Sequence, residues 1–80
     1  MLTYDSGGDE LLWTWDGGSL DHWLLEQSSD GVTGWSNYDE LPPSRMNELT
    51  PDSNEYYRVS ARDVGGNIVG DYSNVVFVAP

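Results

Sequence analysis

The sequence predicts an all-β fold: a seven-stranded antiparallel β-sandwich of two sheets, occupying residues 1–80 as a single domain. Three observations predict it. No window repeats apolar residues at helical spacing over three turns. Short runs instead alternate apolar and polar residues, the period of a half-buried strand. Clusters of Gly, Pro, Ser, Asn and Asp punctuate those runs at regular intervals, the spacing expected of a sandwich.

The elements follow in order. Leu2 and Tyr4 make a short first run that closes at Ser6-Gly7-Gly8. Leu11, Trp13 and Trp15 then alternate with Leu12, Thr14 and Asp16, so the odd positions share one face, and Asp16-Gly17-Gly18 turns the chain. Trp23, Leu25 and Gln27 alternate with Leu24 and Glu26 up to the turn Ser28-Ser29-Asp30-Gly31. Trp35 to Tyr38 reads as a weaker strand that stops at Leu41-Pro42-Pro43, because consecutive prolines cannot donate to a ladder. Arg45 to Leu49 fits an edge strand. Tyr57, Val59 and Ala61 alternate with Tyr56, Arg58 and Ser60, Gly65-Gly66-Asn67 forms a loop, and Tyr72 to Val78 closes the sheet.

A chain this short buries only about 60% of its unfolded surface, so nearly every large apolar residue is needed in the core. There is no cysteine to staple the fold or ligate a metal. The longest apolar runs, such as Val75 to Ala79, are too short to span a membrane as a helix. Met1-Leu2-Thr3-Tyr4-Asp5 lacks the basic start of a signal peptide. Fourteen carboxylates face three arginines, with no lysine, for a net charge of −11. Such a surface repels nucleic acid and anionic membranes, leaving proteins or glycans as the expected partners. It also suits a salty habitat, since at about 1 M salt the screening length falls to roughly 3 Å and self-repulsion is largely suppressed.

Leu49-Thr50-Pro51, then Glu55-Tyr56-Tyr57-Arg58-Val59-Ser60-Ala61-Arg62-Asp63, then Gly66-Asn67 and Tyr72-Ser73-Asn74-Val75-Val76, resemble the second half of a fibronectin type III domain. The bacterial and phage type is the nearest in kind. Trp15-Asp16 is similar to the family's second-strand tryptophan, and Trp23-Leu24-Leu25-Glu26 to its third-strand pattern. Where the family carries a corner tyrosine this chain has Glu55, and Tyr56 or Tyr57 takes that role only if the loop shifts by a residue. The resemblance implies an Ig-like sandwich and a spacer, adhesion or binding role rather than catalysis.

Two surfaces are candidate contacts. Trp13, Trp15 and Trp23 share the inward parity and are expected in the core, whereas Trp35, after Gly34, is the candidate for glycan contact. On the outer face of the sheet made by the third, sixth and seventh strands, alternation places Leu24, Tyr56, Arg58, Val75 and Phe77, an apolar patch with a polar rim that suits a protein partner or a second copy.

No catalytic, cofactor or metal site is expected. His22 adjoins Asp21 at a strand start and has no nucleophile placed with it by sequence. One His without Cys does not make a zinc site, and the acidic loops lack the regular spacing of a calcium loop. The functional expectation is a non-catalytic structural subunit: a decoration-type protein on a virion capsid or tail surface, from a halophilic virus if the salt reading holds. The chain starts at Met1 without a leader and ends just after the last strand, which favours that expectation. The alternative is an extracellular accessory module of a secreted carbohydrate-active enzyme or adhesin.

Overall fold

The computed structural model describes residues 1–80 as a two-sheet, Ig-like β-sandwich without helices. Eight strands form it: β1 (Leu2–Asp5), β2 (Glu10–Trp13), β3 (His22–Ser28), β4 (Ser36–Leu41), β5 (Asn47–Leu49), β6 (Glu55–Arg62), β7 (Ile68–Val69) and β8 (Val76–Val78). The smaller sheet has the order β1-β2-β5. The larger runs β4-β3-β6, with β7 and β8 both on the far edge of β6, and every pairing is antiparallel.

The seven expected strands become eight because a short extra one, β7, follows the Gly65-Gly66-Asn67 loop. β7 pairs with the end of β6 and β8 with its beginning. Between them the chain leaves the ladder, and Ser73 takes its place: its N–H donates to Val59 O at 2.9 Å and its Oγ accepts the Val59 N–H at 2.9 Å. The next residue, Asn74, clasps the two sheets together. Its Oδ1 accepts the Leu2 N–H at 2.8 Å and its Nδ2 donates to Leu2 O at 2.9 Å, satisfying the outer backbone edge of β1. The expected strand from Tyr72 to Val78 therefore shortens to Val76–Val78, β2 ends at Trp13 rather than Trp15, and β5 begins at Asn47 rather than Arg45.

The inward faces are those the alternation gives. Leu2, Leu11 and Trp13 from the smaller sheet meet Trp23, Leu25, Leu41, Tyr57, Val59, Ala61 and Val78 from the larger. Trp13 and Trp15 each pack edge-on against Trp23, with centroids 5.9 and 5.6 Å away. Trp15 is only half-buried, covering the margin of that cluster. A register shift between Leu25 and Glu26 leaves Tyr38 as an extra residue in β4, and its ring packs edge-on against Tyr57 at 5.2 Å.

Tyr57 supplies the corner that Glu55 cannot. Its hydroxyl donates to Asp52 O, five residues upstream, at 3.2 Å and accepts a hydrogen bond from Gln27 Nε2 at 2.9 Å. Such a tyrosine, bonded back to the preceding corner, is a hallmark of Ig-like sandwiches. Burial pushes its phenol well above the ordinary value.

Candidate interaction face

The outer face of the larger sheet is set by the parity of β3, β6 and β8. Because Trp23, Leu25, Tyr57, Val59 and Val78 point inward, His22, Leu24, Glu26, Ser28, Tyr56, Arg58, Ser60, Arg62 and Phe77 point outward. Register arranges them in rows across the strands: His22 beside Arg62, Leu24 beside Ser60, Glu26 beside Arg58, and Ser28 beside Tyr56 and Phe77.

The middle rows form a closed polar-aromatic network. Arg58 Nε donates to Glu26 Oε1 at 3.1 Å, directly across the strands, and Arg62 Nη2 approaches the same oxygen at 3.9 Å. The Arg58 guanidinium packs against two rings, Trp35 at 4.3 Å and Tyr72 at 3.7 Å from the centroids. One ring arrives from the β3–β4 side and the other from the β7–β8 segment. Glu26 is buried, and these two arginines are its ion-pair partners.

This network corrects the expected patch in one place. Leu24 has the outward parity but is only 8% exposed. The Arg62–Glu26 pair spans its row on one side and the His22 Nε2–Glu40 Oε1 pair, at 3.5 Å, flanks it on the other. Long side chains thus cover Leu24 and remove it from any contact surface. Arg58 is committed within the sheet in the same way, and Trp35 serves as its stacking partner, leaving only part of its ring open.

The apolar surface that stays open lies at the lower row. Phe77 is 44% exposed and leans on Tyr56 with centroids 4.8 Å apart, and Val75 is equally exposed one residue before β8. Tyr56 is fixed from the other side by Gly31. A Cβ on Gly31 would lie 2.7 Å from Tyr56 Cδ1, and its φ of 76° is one that only glycine adopts freely. The turn beneath is held by Ser28 Oγ, which donates to Thr33 O at 2.6 Å, and by Asp30, whose Oδ1 accepts the Val32 and Thr33 N–H groups at 2.9 and 2.8 Å. Those backbone donors hold the Asp30 carboxyl well below its ordinary range.

Phe77 also borders an open groove of about 850 Å³ at this end of the sandwich, shared with Tyr4, Asp9, Pro51, Asp52 and Pro80. Its floor is strained. Asp9 and Thr50 sit at φ 49° and 53°, joined by the Thr50 N–H to Asp9 O bond of 2.8 Å, and a β-branched residue rarely enters that region. Sequence reading missed this groove, because its walls come from β1, the β5–β6 corner and the C-terminal strand.

The chain matches no family model, no curated protein and no solved structure. Its functional reading therefore rests on geometry. Several ionisable groups are spent on architecture: Asp30 and Asp63 cap turns, Glu26 pairs with two arginines, and His22 lies between Asp21 and Glu40. No three His, Asp or Glu side chains converge as metal ligands.

Proposed function

We propose that the chain is a non-catalytic interaction module of the fibronectin type III kind, docking onto another protein of a larger assembly through the Tyr56–Phe77 end of its larger sheet. One observation carries this reading: Phe77 is held open on the sheet's outer face, braced by Tyr56, while Leu24 on the same face is roofed over. A domain with so thin a core gains by burying every large ring, so a phenylalanine kept outside is better explained by a contact than by folding.

The partner's chemistry follows from the rim. Asp9, Asp30, Asp52 and Glu55 stand around the patch, so a complementary surface is apolar at its centre and carries Lys or Arg at its edge. A second copy would bring the same acid and be repelled in dilute salt. The Tyr57 corner supports the family reading, as does the placement of β4 beside β3 on the larger sheet, where constant-type immunoglobulin domains put the fourth strand on the other sheet. In this reading the assembly is a particle such as a virion capsid or tail, and the chain is a decoration-type subunit on its surface.

Co-sedimentation with particles purified from the source of the chain tests it. Phe77→Ser should weaken retention at least about tenfold, the scale of a central interface residue. Leu12→Ser, on the outer face of the opposite sheet, should not. Equal retention of both variants, or none of the parent chain, overturns the reading.

A further inference from the structure

The open groove beside Phe77 has walls of two kinds. Tyr4, Pro51 and Phe77 give it apolar and aromatic surface, and Asp9 and Asp52 give it two carboxylates. Those carboxylates are half used. Asp9 Oδ1 accepts the Tyr4 hydroxyl at 2.7 Å and Asp52 Oδ2 accepts Gln27 Nε2 at 3.0 Å, which leaves one oxygen on each without a donor from the protein.

No cation of the chain answers that charge. Arg58 and Arg62 reach Glu26 on the outer face of the larger sheet, Arg45 reaches Glu48, and none of the three lines the groove. There is no lysine, and the net charge of −11 deepens the local negative potential. A divalent metal ion finds only two carboxylates there, and no third His, Asp or Glu converges on them.

We propose that this groove receives an arginine side chain of the protein partner, an inference that rests on the docking reading and names the cation seated beside Phe77. A guanidinium offers five N–H donors in one plane, enough for both open oxygens, and its faces stack on aromatic rings. Its methylene stem suits the apolar wall. The chain uses the same chemistry within itself, where Arg58 bonds Glu26 and packs against the Trp35 and Tyr72 rings. A lysine ammonium is a strongly hydrated point charge and gains less from such a site.

The test begins with an NMR titration of the ¹⁵N-labelled chain in dilute buffer. The probes are a blocked tripeptide of arginine between two glycines and its analogues with lysine or uncharged citrulline in place of arginine. The arginine peptide should give saturable shifts at the Asp9, Thr50 and Ser53 amides, with lysine at least about threefold weaker and citrulline at least about tenfold. Asp9→Asn and Asp52→Asn keep the acceptors for Tyr4 and Gln27, and asparagine tolerates the φ of 49° at position 9. Together they should weaken the arginine peptide about tenfold. Asp16→Asn with Asp71→Asn, the same loss of charge at exposed positions outside the groove, should change it less than about twofold. On purified particles the Asp9 and Asp52 double variant should lose retention by a factor similar to its loss of peptide. Retention sensitive to Phe77→Ser but not to that double variant overturns this proposal alone, and retention sensitive to neither overturns the docking reading with it. Citrulline or lysine binding as tightly as arginine, equal losses in the two double variants, or no saturation up to about 50 mM also overturns it.

Discussion

Replacing Glu48 with Gln should remove a pH dependence that the folded chain carries between about pH 4.5 and 7. Glu48 lies on β5 opposite Leu11, so its side chain points between the sheets, where it is buried. That burial, together with the neighbouring Asp39 carboxyl, pushes its pKa from 4.5 up to about 7, while Arg45 Nη2 at 3.6 Å pulls the other way. A carboxyl whose affinity for the proton rises on folding stabilises the fold fully below its unfolded value, and that stability is lost as pH rises through the folded value. At about 1.4 kcal/mol per tenfold change in proton affinity the ceiling is about 3 kcal/mol. Solvent at the open sheet edge screens the interaction, which brings the figure to about 1–2 kcal/mol. For a domain of this size that corresponds to roughly 5–15 °C in Tm. Thermal unfolding followed by circular dichroism at pH 5 and pH 8 reads it directly. The parent Tm should fall by that amount between the two, and the Gln variant, which keeps the shape and can donate to Asp39, should be nearly level. Parallel curves for the two proteins would refute the assignment.

Further outcomes follow from the same contacts. Tyr57→Phe keeps the buried ring but deletes the bonds to Asp52 O and from Gln27, and should cost about 1–2 kcal/mol in urea unfolding without changing the slope. Arg58→Ala strips the buried Glu26 of its closest partner and both rings of their cation, and should cost about 2–4 kcal/mol, whereas Trp35→Ala removes one stacking ring and should cost about 1 kcal/mol. Raising NaCl from dilute buffer to about 1 M should raise the Tm, because the charge of −11 repels itself least when screened; a flat curve would contradict this. On the acid side the slope reverses: Asp30 and Asp63, both held below their ordinary 3.8 by backbone N–H groups, contribute stability that is lost as pH falls through that region.

Much of the fold was legible because alternation is a local signal. Trp23, Leu25 and Gln27 on one strand, and Tyr57, Val59 and Ala61 on its neighbour, declare the inner faces without reference to anything else. The two-residue β7 and the shortening of the last strand were hidden, since Ser73 and Asn74 use side chains to make bonds that a ladder makes with backbone. Parity placed Phe77 correctly on the outside but could not show that Leu24 is covered. Its cover comes from ion pairs between residues far apart in sequence, Glu26 with Arg62 and His22 with Glu40. The corner tyrosine was legible only to within two positions, because backbone geometry at Asp52 decides which hydroxyl reaches back.

The most direct test of the docking face is a photo-crosslinking map on the intact assembly. A benzophenone side chain in place of Phe77 should yield one dominant adduct with a partner protein, and the same group in place of Leu12 on the opposite sheet should yield none. Equal crosslinking from both positions, or an adduct confined to Leu12, would contradict a contact made through Tyr56 and Phe77.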